Sequence, residues 1–205
     1  MIKKDFHLYI LLSLIAASSV LRKEKLFKKL LYSAKEKRIP AAKIYEVLLQ
    51  SYLFAGFPSA LISLKIFKEI FPFTLKKTKT FSHSELKKSG EKTCRKIYGN
   101  KYDKLIANVN SFSPDLAEWL VVEGYGKVLS RKQLNLKERE LSIIAMLTVL
   151  KYEDQLFSHI AGAFRLKIKS STISELFDSL MIFGNESYPN FGKRILEQIN
   201  SKKVP

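Results

Sequence analysis

Displaced by 129 positions the chain partly matches itself, with Ala34 falling on Ala163, Ile39 on Ile168, Ile44 on Ile173, Glu46 on Glu175 and Phe54 on Phe183. On the same offset Phe27 falls on Leu156, Leu31 on Ile160, and the apolar run Leu8 to Val20 overlaps Leu141 to Val149. Past Phe54 the register slips by two residues, so that Phe57-Pro58 corresponds to Tyr188-Pro189, an aromatic residue before proline in both places. A sequence of this kind asks for one structural plan used twice. Its two halves must therefore consist of the same kind of element.

That element is the helix. Apolar residues recur at three and four in both halves, as in Phe27, Leu30, Leu31 and Ala34, and no alternating pattern competes. With 8 glycines and 6 prolines, the chain has few of the turn signals that a many-stranded sandwich or barrel needs. The spacing predicts helices over about 8–21, 24–38, 41–55 and 58–70, and again over about 136–150, 153–167, 172–184 and 189–200. Asn135 with Glu138 has the pattern of a capping box, and Thr172 with Glu175 repeats it. Between the halves, Pro72 to Lys79 reads as an exposed turn-and-lysine stretch, and Ser84 to Tyr98 resumes helical spacing. Ser113-Pro114-Asp115 opens a helix with a serine cap, a proline at the first position and an acid in the first turn, and Gly124-Tyr125-Gly126 is expected to close it. The organisation expected is an all-α bundle: an N-terminal copy at 1–71, connecting helices at 72–134, and a C-terminal copy at 135–205, integrated into one domain.

Lys3 and Lys4 before the apolar run imitate a secretion signal, and two observations favour a place in the fold instead. The run leads straight into the amphipathic spacing of Leu26 to Ala34, and its counterpart in the second half is an interior helix. It is too short to span a bilayer. The single cysteine, Cys94, cannot close a disulfide within the chain and reads as a packed small hydrophobe, which suits a reducing, cytoplasmic setting. A balance of 36 basic against 19 acidic residues gives +17, a field that attracts polyanions or small anionic substrates. The lysines are scattered along the whole chain, so charge alone names no footprint.

Several segments taken together carry a resemblance. Tyr125-Gly126-Lys127-Val128-Leu129-Ser130-Arg131, Leu134, Arg139-Glu140-Leu141, Ala145, Leu147, Gln155-Leu156, Ser158-His159 and Ala163 look like the core of the carboxymuconolactone decarboxylase family. Ile44-Tyr45-Glu46, Leu48-Leu49-Gln50 and Phe54-Ala55-Gly56-Phe57-Pro58 are similar to its N-terminal helix and turn, and Tyr98-Gly99 and Pro114-Asp115-Leu116 extend the likeness over most of residues 9–200. The resemblance implies an alkylhydroperoxidase-D-like helical fold, trimers or hexamers, and a site where the helix of Glu140 meets the helix of His159. Two departures stand out: Asn185-Glu186-Ser187 replaces a compact glycine-proline turn, and Lys167-Ile168-Lys169 lacks the glycine that the family often carries there.

The resemblance also divides the possible chemistry. Its peroxidase branch requires two cysteines seven and four residues before the histidine, and here Tyr152 and Gln155 hold those positions. Neither a phenol nor an amide can pass through a sulfenic acid and a disulfide, so dithiol peroxidase activity is not expected. Decarboxylation needs proton movement and charge stabilisation, for which a carboxylate and an imidazole suffice. Glu140 and His159 are thus the candidate catalytic residues, with Tyr152, Gln155 and Arg131 as candidate substrate contacts; the guanidinium of Arg131 suits a carboxylate. Nineteen residues allow Glu140 and His159 to meet across an antiparallel hairpin turning near Lys151-Tyr152-Glu153. The residues by themselves also permit blander readings. Glu140 could complement a helix dipole, His159 could be a packed residue, Arg131 a solvated one, and Glu46 and Glu175 helix-start carboxylates. His7 and His83 read as exposed; three separated histidines make no metal set, no glycine loop cradles phosphate, and no cofactor is expected. The alternative function is that of a non-enzymatic basic helical module binding nucleic acid or an acidic partner.

Overall fold

A computed structural model describes residues 7–72 and 80–201. Among them every regular element is helical. The chain forms two compact units, Met1–Phe73 with Gln133–Pro205, and Thr74–Lys132.

The first unit contains α1 (Leu8–Val20), α2 (Glu24–Glu36), α3 (Ala41–Gln50), α4 (Tyr52–Ile70), α8 (Leu136–Leu150), α9 (Glu153–Arg165), α10 (Ser170–Ser179) and α11 (Ser187–Ser201). A short 3-10 turn, Leu180–Phe183, joins the last two. At its centre α1 packs against α8. Every residue of α1 from Ile10 to Val20 is buried, and so is every residue of α8 from Glu138 to Val149. Burying one Leu or Ile side chain is worth about 1.5–3 kcal/mol, and such helices are confined to an interior. The serines of α1 are compatible with that interior because Ser13, Ser18 and Ser19 return their hydroxyls to the carbonyls of Tyr9, Ile15 and Ala16. The other helices wrap this pair with one apolar face, as α2 does through Phe27, Leu30, Leu31 and Ala34.

The left-handed turns recur at the offset of the sequence match. Arg22 and Lys151 have φ of 55° and 59°, and Arg38 and Lys167 have φ of 54° and 60°. Each follows a helix and is closed by the same pair of bonds: the amide of Ile39 donates to Ala34 at 2.9 Å, and that of Ile168 to Ala163 at 3.0 Å. Gly56 and Gly184, with φ of 74° and 67°, mark the ends of the third helices. At Gly56 the chain breaks within α4, and α3 and α4 are bent by 119°. No single helix among the described residues is long and apolar enough to cross a membrane.

The second unit contains α5 (His83–Tyr98), α6 (Tyr102–Phe112), α7 (Pro114–Trp119) and a π-helical segment, Leu120–Leu129. Ser82 and Glu85 form the capping box of α5, and the Ser113 hydroxyl accepts from Leu116 at the start of α7. The glycines expected to end this last helix do not: the helical path runs on through Gly124 and Gly126 to Leu129 in the wider π form. The reason is packing, because a Cβ on Gly126 would lie 2.3 Å from the Leu86 carbonyl, and one on Gly90 would lie 2.0 Å from that of Val121. Here glycine serves close approach of two backbones, not termination. Cys94 is buried on α5.

Two further expectations are corrected. Thr172 does not cap its helix, since α10 already begins at Ser170 and has no side-chain cap. Most of the stretch read as a lysine-rich turn, 73–79, lies outside the described residues, as do Lys3 and Lys4.

Candidate active site

The capping box read from Asn135 and Glu138 is present and opens α8. Glu138 also pairs with Lys43 of α3. The next two residues, Arg139 and Glu140, are charged, adjacent and almost inaccessible at 1% and 0% exposure. A charge in such a place requires a partner, and the helix sends the two side chains to different ones. Arg139 donates through Nη2 to Glu46 Oε2 at 2.8 Å and through Nη1 to Gln50 Oε1 at 3.1 Å, both on α3. Glu140 Oε2 lies 2.9 Å from Nδ1 of His159 on α9.

The hairpin of α8 and α9 therefore closes where the spacing allowed, and turns at left-handed Lys151. His159 is 5% exposed. When Nδ1 donates to Oε2, proton exchange by the ring falls to Nε2. The other carboxylate oxygen, Oε1, is buried and has no hydrogen-bond partner. An acceptor left so costs about 1–3 kcal/mol in an ordinary core and invites explanation. Phe54 sets its ring against the imidazole at a centroid distance of 6.1 Å and an interplanar angle of 77°. Glu46, Gln50 and Phe54 stand four residues apart, so the segment that holds Arg139 also presents the aromatic edge to His159.

Tyr152 and Gln155 are exposed, Tyr152 at the position before α9 and Gln155 in its first turn. Gln155 precedes His159 by one helical turn and shares its side of the helix. Arg131 lies in the other unit, just after the π-helical segment, and is partly buried. Glu46 is not a helix-start carboxylate: it is buried deep in α3 as the partner of Arg139. Glu175 likewise sits inside α10, where it accepts a hydrogen bond from the Tyr9 hydroxyl at 3.0 Å. Nothing in the local sequence marks Gln50, Phe54 or the pairing of Arg139 as parts of the site. What the sequence does show is an arginine standing in a helix whose following nine residues include no other cation.

At the offset of 129, Leu11 and Leu30 occupy the positions of Glu140 and His159, and both are fully buried. Among the described residues no group of three or more His, Cys, Asp or Glu side chains could hold a metal ion.

No protein-family model matches the chain. Among curated proteins, it is 25% identical over 113 residues to the 4-carboxymuconolactone decarboxylase of Acinetobacter baylyi, an alignment covering 55% of this chain and 84% of that protein.

Proposed function

We propose that the chain is a two-copy member of the carboxymuconolactone decarboxylase family and a carboxy-lyase acting on a small carboxylated lactone or keto-acid. The observation that carries this reading is the buried 2.9 Å contact between Glu140 and His159. In the proposed reaction the bond between the ring carbon and its carboxylate breaks and carbon dioxide leaves. The electron pair passes into the adjacent conjugated system, and a proton first taken up from solvent at Nε2 of His159 is delivered to the product carbon. Glu140 orients the imidazole and carries the compensating charge as it changes protonation, while Gln155 and Tyr152 of the same unit supply substrate contacts. General acid-base participation of this sort contributes about a hundredfold to ten-thousandfold in rate. The identity of residues 152 and 155 and the presence of one cysteine argue against dithiol peroxide reduction.

The assembly proposed with it is a trimer of such chains or a pair of trimers. The apolar helices α1 and α8 are buried against each other within one chain. What supports assembly instead is the exposure of Phe57 and Leu61 on α4, at 64% and 65%.

Incubation with a panel of carboxylated lactones and keto-acids, following carbon dioxide release, tests the function. Turnover is expected, and His159→Gln and Glu140→Gln each lower it at least a hundredfold while the helical spectrum is kept. Absence of turnover across the panel by the folded wild-type protein would sink the reading. Turnover in both variants equal to that of the wild type would remove the pair from the chemistry.

A further inference from the structure

The exposed face of α5 carries Lys88, Lys92 and Lys96, one turn apart and in one line. No other helix among the described residues has three basic residues at successive intervals of four. Like charges at this spacing repel by about 0.2–0.5 kcal/mol per pair, and an acid nearby would relieve them. Some cations on other helices have that relief: Lys28 pairs with Glu24, Lys127 with Glu123, Lys193 with Asp178 and Arg194 with Glu153. Arg95, on the edge of the same face, is held by Asp103 at 2.8 Å and lies over the Tyr102 ring. The three lysines have no ion pair among the described residues.

The opposite face of α5 fixes what the stripe can meet. Gly90, Thr93, Cys94 and Ile97 are buried, and Gly90 brings the helix into backbone contact with the π-helical segment. An amphipathic helix enters a membrane surface through its apolar face, and that face of α5 is already spent on the interior of its own unit. Single-stranded nucleic acid is gripped by aromatic side chains stacked on its bases, and the lysine face has none. A row of exposed lysines at successive turns, with Glu85 and Glu91 on the same helix as the nearest acids in sequence, suits a regular array of phosphates instead. We infer that the Lys88–Lys92–Lys96 face of α5 is a docking surface for the phosphate backbone of duplex DNA, independent of base sequence and of the Glu140–His159 site.

Neutralising a phosphate of duplex DNA contributes a slope of about −0.9 to the plot of log affinity against log salt. Three lysines then account for about 2.7 of that slope, or about a fortyfold loss between 50 and 200 mM salt. The test is fluorescence anisotropy of a short labelled DNA duplex titrated with the full chain over this range. Replacing Lys88, Lys92 and Lys96 by Gln is expected to weaken binding at least tenfold at 50 mM and to flatten the slope by two to three. A charge-matched control on α2 and α4, with Lys25, Lys29 and Lys65 replaced by Gln, should change the slope by less than one. Lys92→Glu provides a single-site version should the triple variant lose its helical spectrum. Equal losses in the two triple variants would assign binding to the diffuse field of the whole chain and overturn the inference. So would no binding by the wild type at 50 mM, or tighter binding to the single strand or to phosphatidylserine vesicles. Decarboxylase turnover is expected to survive the lysine changes, so failure here and failure of the proposed function read out separately.

Discussion

Arg139 and Glu140 are consecutive, both enclosed, and bonded to different helices, which makes each sensitive to a different change. Removing Arg139 alone, as in Arg139→Met, leaves Glu46 charged in the core and is expected to cost about 3–5 kcal/mol in urea unfolding. Adding Glu46→Leu removes the orphaned charge and should restore most of that loss, giving a strongly non-additive cycle. Tyr9 supplies a pH-dependent counterpart at the surface. Burial, followed by its bond to Glu175 and the charge there, raises the phenol pKa in the folded chain. The folded state therefore holds that proton more tightly than the unfolded one. The resulting stability is complete below about pH 10 and is lost as pH rises through the folded value. Tyr9→Phe should flatten this alkaline decline in a series of urea midpoints, whereas an unchanged decline would assign it to other groups. Glu140 and His159 are candidates because of the family resemblance, and their separation of nineteen residues only allows them to meet in a helical hairpin. Sequence could not locate Gln50 at the end of α3 or Phe54 in the first turn of α4, whose contacts are made some hundred residues away along the chain and depend on how this segment leans on the hairpin.

Helix ends with local causes were legible, and ends with distant causes were not. The capping box at Asn135 is a property of four consecutive residues and stands as read. Gly124 and Gly126 have the composition of a stop signal, yet what Gly126 serves is the approach of Leu86 from α5, information absent from its own neighbourhood. Gly126→Ala and Gly90→Ala should accordingly destabilise by about 1–3 kcal/mol or more, since the clashing atoms are backbone carbonyls that cannot rotate away. The left-handed turns make the opposite prediction. Lys167 holds a φ of 60° at the place where the family resemblance called for glycine. Lys167→Gly and Lys151→Gly should each raise stability by about 0.5–1 kcal/mol, measurable as a higher Tm.

For the molecule as a whole, the repeated pattern was the most informative feature of the sequence, because it fixed the class of every element in both halves before any one of them was placed. It was silent on division into units, as the 74–132 segment has no counterpart on the 129-residue offset, and on which apolar residues reach the surface. The exposed residues on α4 give the expectation that the chain self-associates. Light scattering coupled to size exclusion should report a multiple of 23.6 kDa, and a monodisperse single-chain mass in both low and moderate salt would refute it. Leu11 and Leu30 carry a different consequence. Under the proposed two-copy plan, one hairpin holds leucine at the positions where the other has an acid and a base. A tight inhibitor titrated against the proposed enzyme should therefore saturate at one equivalent per chain, leaving half of the corresponding hairpins permanently silent whatever the size of the assembly.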